Sequence, residues 1–132
     1  MNLVRAAWAL TMTLLALSPL AACAGEVIAN AGVLLSADEI RDVFLGEKQF
    51  AGSLKLIPVD NGSLHSEFLA KVLQTDERKY AARWTRKSFR EGLAAPAVKG
   101  SDAEVIAFVR STPGAIGYVS SSSPGVKVLE KF

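Results

Sequence analysis

The stretch SDAEVIAFVRSTPGAIGYV, residues 101–119, reads as a capped helix, its stop and a buried strand in unbroken succession. Ser101 has the side chain of a helix N-cap, and Asp102 and Glu104 fall in the first turn, where the helix dipole favours acids. Ser101 and Glu104 also have the spacing of a capping box. Val105, Ile106, Phe108 and Val109 form the inward face, and Thr112-Pro113-Gly114 ends the helix. Ala115 to Ser120 is then a strand, Ser121 to Gly125 a polar turn, and Val126 to Leu129 a last strand. Gly114, just before the strand, and Gly117 within it allow close backbone packing, and Tyr118 fills core.

Upstream, the same alternation recurs. Residues 26–30 (EVIAN) form a short apolar run, read as a buried strand. Ser36 caps a helix that has Asp38 and Glu39 at its start, Ile40, Val43 and Phe44 on one face, and Gly46 at its stop. Residues 54–59 (LKLIPV) are β-type, with Pro58 demoting them to an edge strand or a strand end. The turn Asp60-Asn61-Gly62-Ser63 leads into a helix over 64–75, whose apolar side is Leu64, Phe68, Leu69, Val72 and Leu73. A third helix runs from about Asp76 to Phe89, followed by a loop with Pro96 and Gly100. Strands alternate with helices without internal repeats, which predicts an α/β domain: a small mixed or mostly parallel sheet flanked by helices.

Composition narrows the function classes. The chain has 132 residues, 50% of them hydrophobic, a formal net charge of +2, one Cys and one His. That is enough for one domain and too apolar for disorder. A lone cysteine forms no internal disulfide, and His65 with Cys23 is too small a set for a zinc site. The first residues read as an address. Arg5 precedes the apolar run AAWALTMTLLALSPL (residues 6–20), which is shorter than a membrane span and is followed by small residues. Residues 1–24 are therefore expected to be a secretory signal, leaving residues 25–132 as a single domain. Leu20-Ala21-Ala22-Cys23 instead resembles a bacterial lipobox, with Cys23 as the lipidated first residue. Either way the domain is expected in an extracytoplasmic, periplasmic compartment, attached to membrane only through its signal or a lipid. Without Arg5 it carries 14 basic against 13 acidic residues, too balanced a charge for a nucleic-acid binder.

No catalytic constellation stands out, and the chain reads as a non-enzyme without cofactor or metal. Asp60, Ser63, His65 and Ser66 lie too close together in sequence for a nucleophile relay. The third helix carries a basic stripe (Lys79, Arg83, Arg86, Arg90), read either as a solvated face or as a surface for an acidic partner or an anionic envelope lipid. Tyr80 and Trp84 lie on a different side of that helix. The turn Asn61-Gly62-Ser63 before a helix has the makings of an oxyanion site, with outward N–H groups, a glycine for close approach and a hydroxyl donor. The alternative is that Ser63 only caps its own helix.

The order of these motifs resembles the periplasmic substrate-binding family of phosphate ABC transporters. The pieces are LSADEIRDVFLGEKQF (35–50), LKLIPVDNGSLHSEFLAKVL (54–73), KYAARWTRKSF (79–89) and, above all, the stretch quoted first. The resemblance spans nearly all of residues 26–129 and implies one lobe of a type II periplasmic-binding-protein fold. It also implies phosphate or another oxyanion as ligand, held at Asn61, Gly62, Ser63 and His65. Two departures qualify that implication. Members of full length close two lobes on the anion, and this chain matches one. Their anion turn reads Asp-Gly-Ser-Gly-Thr with an arginine just upstream. Here the run is Asn61-Gly62-Ser63-Leu64-His65, and Val59 stands near the arginine's place. Since charge-assisted hydrogen bonds contribute roughly 1.5–3 kcal/mol each, the expectation is weak or vestigial oxyanion binding. The alternative is an envelope protein-interaction module with no small ligand.

Overall fold

The computed structural model describes residues 23–132. The expected signal segment lies outside them, apart from Cys23 and Ala24 at its end. Cys23 is exposed, in irregular chain.

The elements are β1 (Glu26–Ala29), α1 (Ala37–Phe44), β2 (Phe50–Ala51), β3 (Leu54–Lys55), β4 (Ile57–Asn61) and α2 (His65–Phe68). They continue with α3 (Glu77–Glu91), β5 (Ala97–Lys99), α4 (Asp102–Ser111), β6 (Ala115–Val119) and β7 (Lys127–Lys131). Five strands make one mixed sheet in the order β5-β4-β6-β1-β7. β4 pairs in parallel with β5 and β6, while β1 pairs antiparallel with β6 and β7. β2 and β3 form a separate two-stranded hairpin.

Burial follows from two-sided coverage. β6 sits in the middle of the sheet and all five of its residues are buried, as a strand covered on both faces must be. Ile28, Val59, Ala115 and Val119 pack with Val105 and Val109 of α4 on one face. Val27, Ala29, Ile116 and Tyr118 meet α1, α2 and α3 on the other, around Phe44, Phe68, Leu69, Tyr80 and Trp84. Gly117 is what lets α4 come so near: a Cβ there would lie 2.7 Å from Val105 Cγ1 and 3.1 Å from Val59 Cγ2.

The caps form as their chemistry predicts. Ser36 and Glu39 make a complete capping box on α1. Ser101 Oγ accepts from the Glu104 N–H on α4, but the Glu104 carboxylate reaches back to the Gly100 N–H instead of that of Ser101.

Some expectations need correction. The run 54–59 is two strands, not one. Pro58 lies near the start of β4, a strand internal to the sheet. It is tolerated because pairing with β5 begins only at Val59, so no ladder bond is lost on that side. The helix over 64–75 opens as α2, widens into a π-helical turn at Leu69–Leu73, and stops at Gln74 in the left-handed conformation. The loop around Pro96 holds a strand, β5. The last strand lies one to two residues later than expected, because Phe132 and Gly25 exchange backbone hydrogen bonds of 3.0 and 2.9 Å.

Candidate functional site

The parallel part of the sheet singles out one place. The chain leaves β4 for α2 and α3 on one face and leaves β5 for α4 on the other. Adjacent parallel strands whose connections part in this way leave a crevice outside their carboxyl ends, where ligands of open α/β sheets bind. Here Asn61-Gly62-Ser63 and Lys99-Gly100-Ser101 form its rims.

Asn61 is wholly buried, and every polar position of its amide is used. Its Nδ2 donates to Asp102 Oδ1 (2.8 Å) and to the Tyr118 carbonyl (3.0 Å). Its Oδ1 accepts from the Ser63 N–H (3.0 Å) and the Ser63 hydroxyl (2.6 Å). This Asx-turn ties the end of β4 to β6 and to the first turn of α4. Asp102 in turn accepts from the Ser120 N–H (3.0 Å) and hydroxyl. Burial pushes the Asp102 carboxyl up, but hydrogen bonds from Ser120 and Asn61 outweigh it and hold its pKa below the usual carboxylate value.

Gly62 and Ser63 are exposed at the corner, as an anion turn requires. Their amides are nevertheless spoken for. The Gly62 N–H donates to the Lys99 carbonyl (2.8 Å), and the Leu64 N–H to the Asn61 carbonyl (3.1 Å). Ser63 makes no cap to α2, whose N-cap position is Leu64 without a side-chain hydrogen bond. Both expected roles of Ser63 therefore meet a hydroxyl already directed at Asn61.

His65 lies behind this corner in a group that sequence reading missed. Asp60 is 2% exposed, and its carboxylate accepts from the Tyr80 hydroxyl (2.8 Å) and the Tyr118 hydroxyl (2.9 Å). His65 Nε2 stands 3.9 Å from Asp60 Oδ2 and has no hydrogen-bond partner, while Nδ1 stands 3.6 Å from Glu77 Oε1. Its ring meets Tyr80 edge-on at 5.4 Å. Burial raises the pKa of Asp60, against the opposing pull of the two tyrosine hydroxyls and His65. Burial and then the Asp60 charge raise both tyrosines well above their ordinary value. Tyr80 and Trp84, one turn apart, are core residues 6% and 5% exposed; the Trp84 indole donates to the Phe44 carbonyl (3.1 Å). That side of α3 therefore packs into the core. Lys79, Arg86 and Arg90 of the basic stripe are exposed, whereas Arg83 is pinned to Glu47 (2.6 Å).

A pH effect on stability follows. In the unfolded chain an aspartate titrates near about 3.9, and the folded value of Asp60 lies above that. The folded state therefore holds this proton more firmly, and the contribution of Asp60 to stability declines as pH rises through the raised pKa. Asp60→Asn should remove this part of the pH dependence, read as the urea midpoint between about pH 4 and pH 7. A variant whose profile keeps the wild-type slope would assign it to another group.

No group of three His, Cys, Asp or Glu residues is placed to hold a metal ion, and no helix is long and apolar enough to cross a membrane, among the described residues.

No protein-family model matches the sequence, and no curated protein matches it. Solved structures do. The ABC-type phosphate transport receptor of Vibrio cholerae superposes with a TM-score of 0.51 at 13% identity, over 82% of this chain and 46% of its own. PstS of Borrelia burgdorferi superposes with a TM-score of 0.58 at 18% identity, over 81% of this chain and 46% of its own. The chain thus spans about half the length of the structures it resembles. At these identities the likeness is one of fold alone, over about half of each receptor.

Proposed function

We propose that this chain is an exported, non-enzymatic binding module, with weak oxyanion affinity at the corner of Gly62, Ser63 and His65. The observation that carries this reading is the exposure of Gly62 and Ser63 at the sheet's switch point, in a fold shared with a phosphate transport receptor. The reading includes weakness because the donors are spent inside the chain. The amides of Gly62, Ser63 and Leu64 are engaged, and Asn61 supports the corner from within. What remains for an anion is a Ser63 hydroxyl that must leave Asn61, and His65 when protonated. Two hydrogen bonds of about 1.5–3 kcal/mol each fit a dissociation constant near 1 mM, and open water screens them further.

The test is a calorimetric titration of the domain with phosphate and with sulfate. Heat is expected only at about 1 mM anion or above, and Ser63→Ala should abolish it. Micromolar binding, or heat indifferent to Ser63→Ala, would move the ligand elsewhere. No heat at all would favour the alternative, an envelope interaction lobe without a small ligand, for which the exposed Phe89 and Val98 are the supporting observation. Export rests on the leader over residues 1–24. Intact mass of membrane-fraction protein separates cleavage after Ala24 from lipidation at Cys23.

A further inference from the structure

α3 covers its face of the sheet incompletely. Val98 of β5 is in register with Asp60 of β4, so both side chains project toward α3, yet Val98 remains 64% exposed. Phe89, near the end of α3, is 92% exposed. Between them runs a groove of about 760 Å³, floored by Tyr80 and Trp84 and bounded by Phe89, Pro96 and Val98. Its volume suits a small organic ligand, and its lining is mostly apolar, as ligand sites are.

The inner end of the groove is not apolar. Asp60 and His65 both line it. Among the described residues, Asp60 has no lysine or arginine within ion-pair distance, and its nearest basic nitrogen is the unpartnered His65 Nε2, 3.9 Å away. The two tyrosine hydroxyls leave the carboxylate with unused acceptor positions. A carboxylate taken out of water ordinarily has a counter-charge, and the one group beside this one that can carry it is His65, and only when protonated.

We propose that the groove binds a primary amine with an aryl or alkyl body, its ammonium bridging Asp60 Oδ2 and His65 Nε2. Hydrogen bonds of about 2.8 Å to both acceptors fit their 3.9 Å separation. The ammonium supplies the missing positive charge, and the body covers the aromatic floor and the exposed Val98 and Phe89. A hydroxyl head has one proton to donate, so it meets one of the two acceptors and supplies no charge; an anionic head meets a carboxylate. The raised pKa of Asp60 fits a carboxyl lacking its counter-ion. This site is independent of the oxyanion corner, although a neutral imidazole serves the amine and a charged one the anion.

The experiment uses 2-phenylethylamine, with 2-phenylethanol and 3-phenylpropionate as neutral and anionic counterparts, in phosphate-free buffer. His65 is the only histidine in the chain, so its ring resonances report the site directly. The amine should shift them saturably and bind about tenfold tighter than the alcohol, with the acid weaker still. Phe89→Ser, at a position too exposed to disturb folding, should weaken amine binding about threefold or more. Asp60→Asn should erase the preference for amine over alcohol. If that variant fails to fold, the ligand series on the wild-type domain and Phe89→Ser decide. Equal affinities for amine and alcohol, tighter binding of the acid, or an amine affinity unmoved by Phe89→Ser would overturn the inference. Phosphate binding would stand or fall separately.

Discussion

Gly114→Ala should cost the domain on the order of 4 kcal/mol, a large fraction of a typical small domain's stability of about 5–15 kcal/mol. Gly114 has φ +81°, a conformation that carries a penalty of about 1–2 kcal/mol for any residue with a β-carbon. A Cβ there would also overlap the Lys55 carbonyl oxygen. No rotamer relieves that contact, because both partners are fixed by backbone. The join between β3 and β4 would have to move, and with it the hydrogen bond from the Ile57 N–H to the Gly114 carbonyl (2.9 Å). That bond stands beside the first β4–β6 pair, Ile57 with Ala115, so the strain falls on the parallel ladder that positions the candidate site. Urea unfolding followed by circular dichroism measures the loss. A cost below about 1 kcal/mol would mean that the 112–114 turn has room it does not show.

Phe68→Ala is expected to cost about 3–5 kcal/mol, the range for emptying a buried aromatic position. Phe68 is fully buried and stacks on Tyr118 at 3.8 Å between ring centroids, with Phe44 and Phe132 edge-on at 4.8 and 5.6 Å. Tyr118 is also the hydroxyl donor to Asp60, so loosening the stack reaches the buried carboxylate. Phe68→Leu, which keeps most of the volume, should cost well under half as much. Similar losses for the two variants would assign the effect to the aromatic ring itself and not to the cavity.

The sequence disclosed the fold wherever local chemistry and tertiary structure agree. Ser36 and Ser101 cap the helices that follow them, and the stretch 115–119 is apolar throughout because both of its faces are covered. β5 escaped notice because it has three residues, follows a proline and lies at the sheet edge with little buried. β2 and β3, at two residues each, leave no periodicity to read. The π-helical turn keeps Leu69, Val72 and Leu73 buried, so the apolar pattern of an ordinary helix survives there. The site was legible only in part. Gly62 and Ser63 are exposed at the corner, but the engagement of their amides depends on Asn61 and on the Lys99 carbonyl, which sequence spacing does not reveal. Asp60 reads as a turn residue. Its burial is decided by Tyr80 and Tyr118, 20 and 58 positions away. A polar residue closing an apolar strand was the one available hint.

The paired bonds between Gly25 and Phe132 hold the first and last described strands together at one point of the surface. A tether at either extremity, whether a lipid on Cys23 or an engineered tag, would therefore leave the domain from nearly the same spot and present the same hemisphere outward. The same adjacency makes the domain a natural subject for circular permutation. A short linker can join the old ends, and new ones can open at the exposed Gly52 turn of the β2–β3 hairpin, away from the five-stranded sheet.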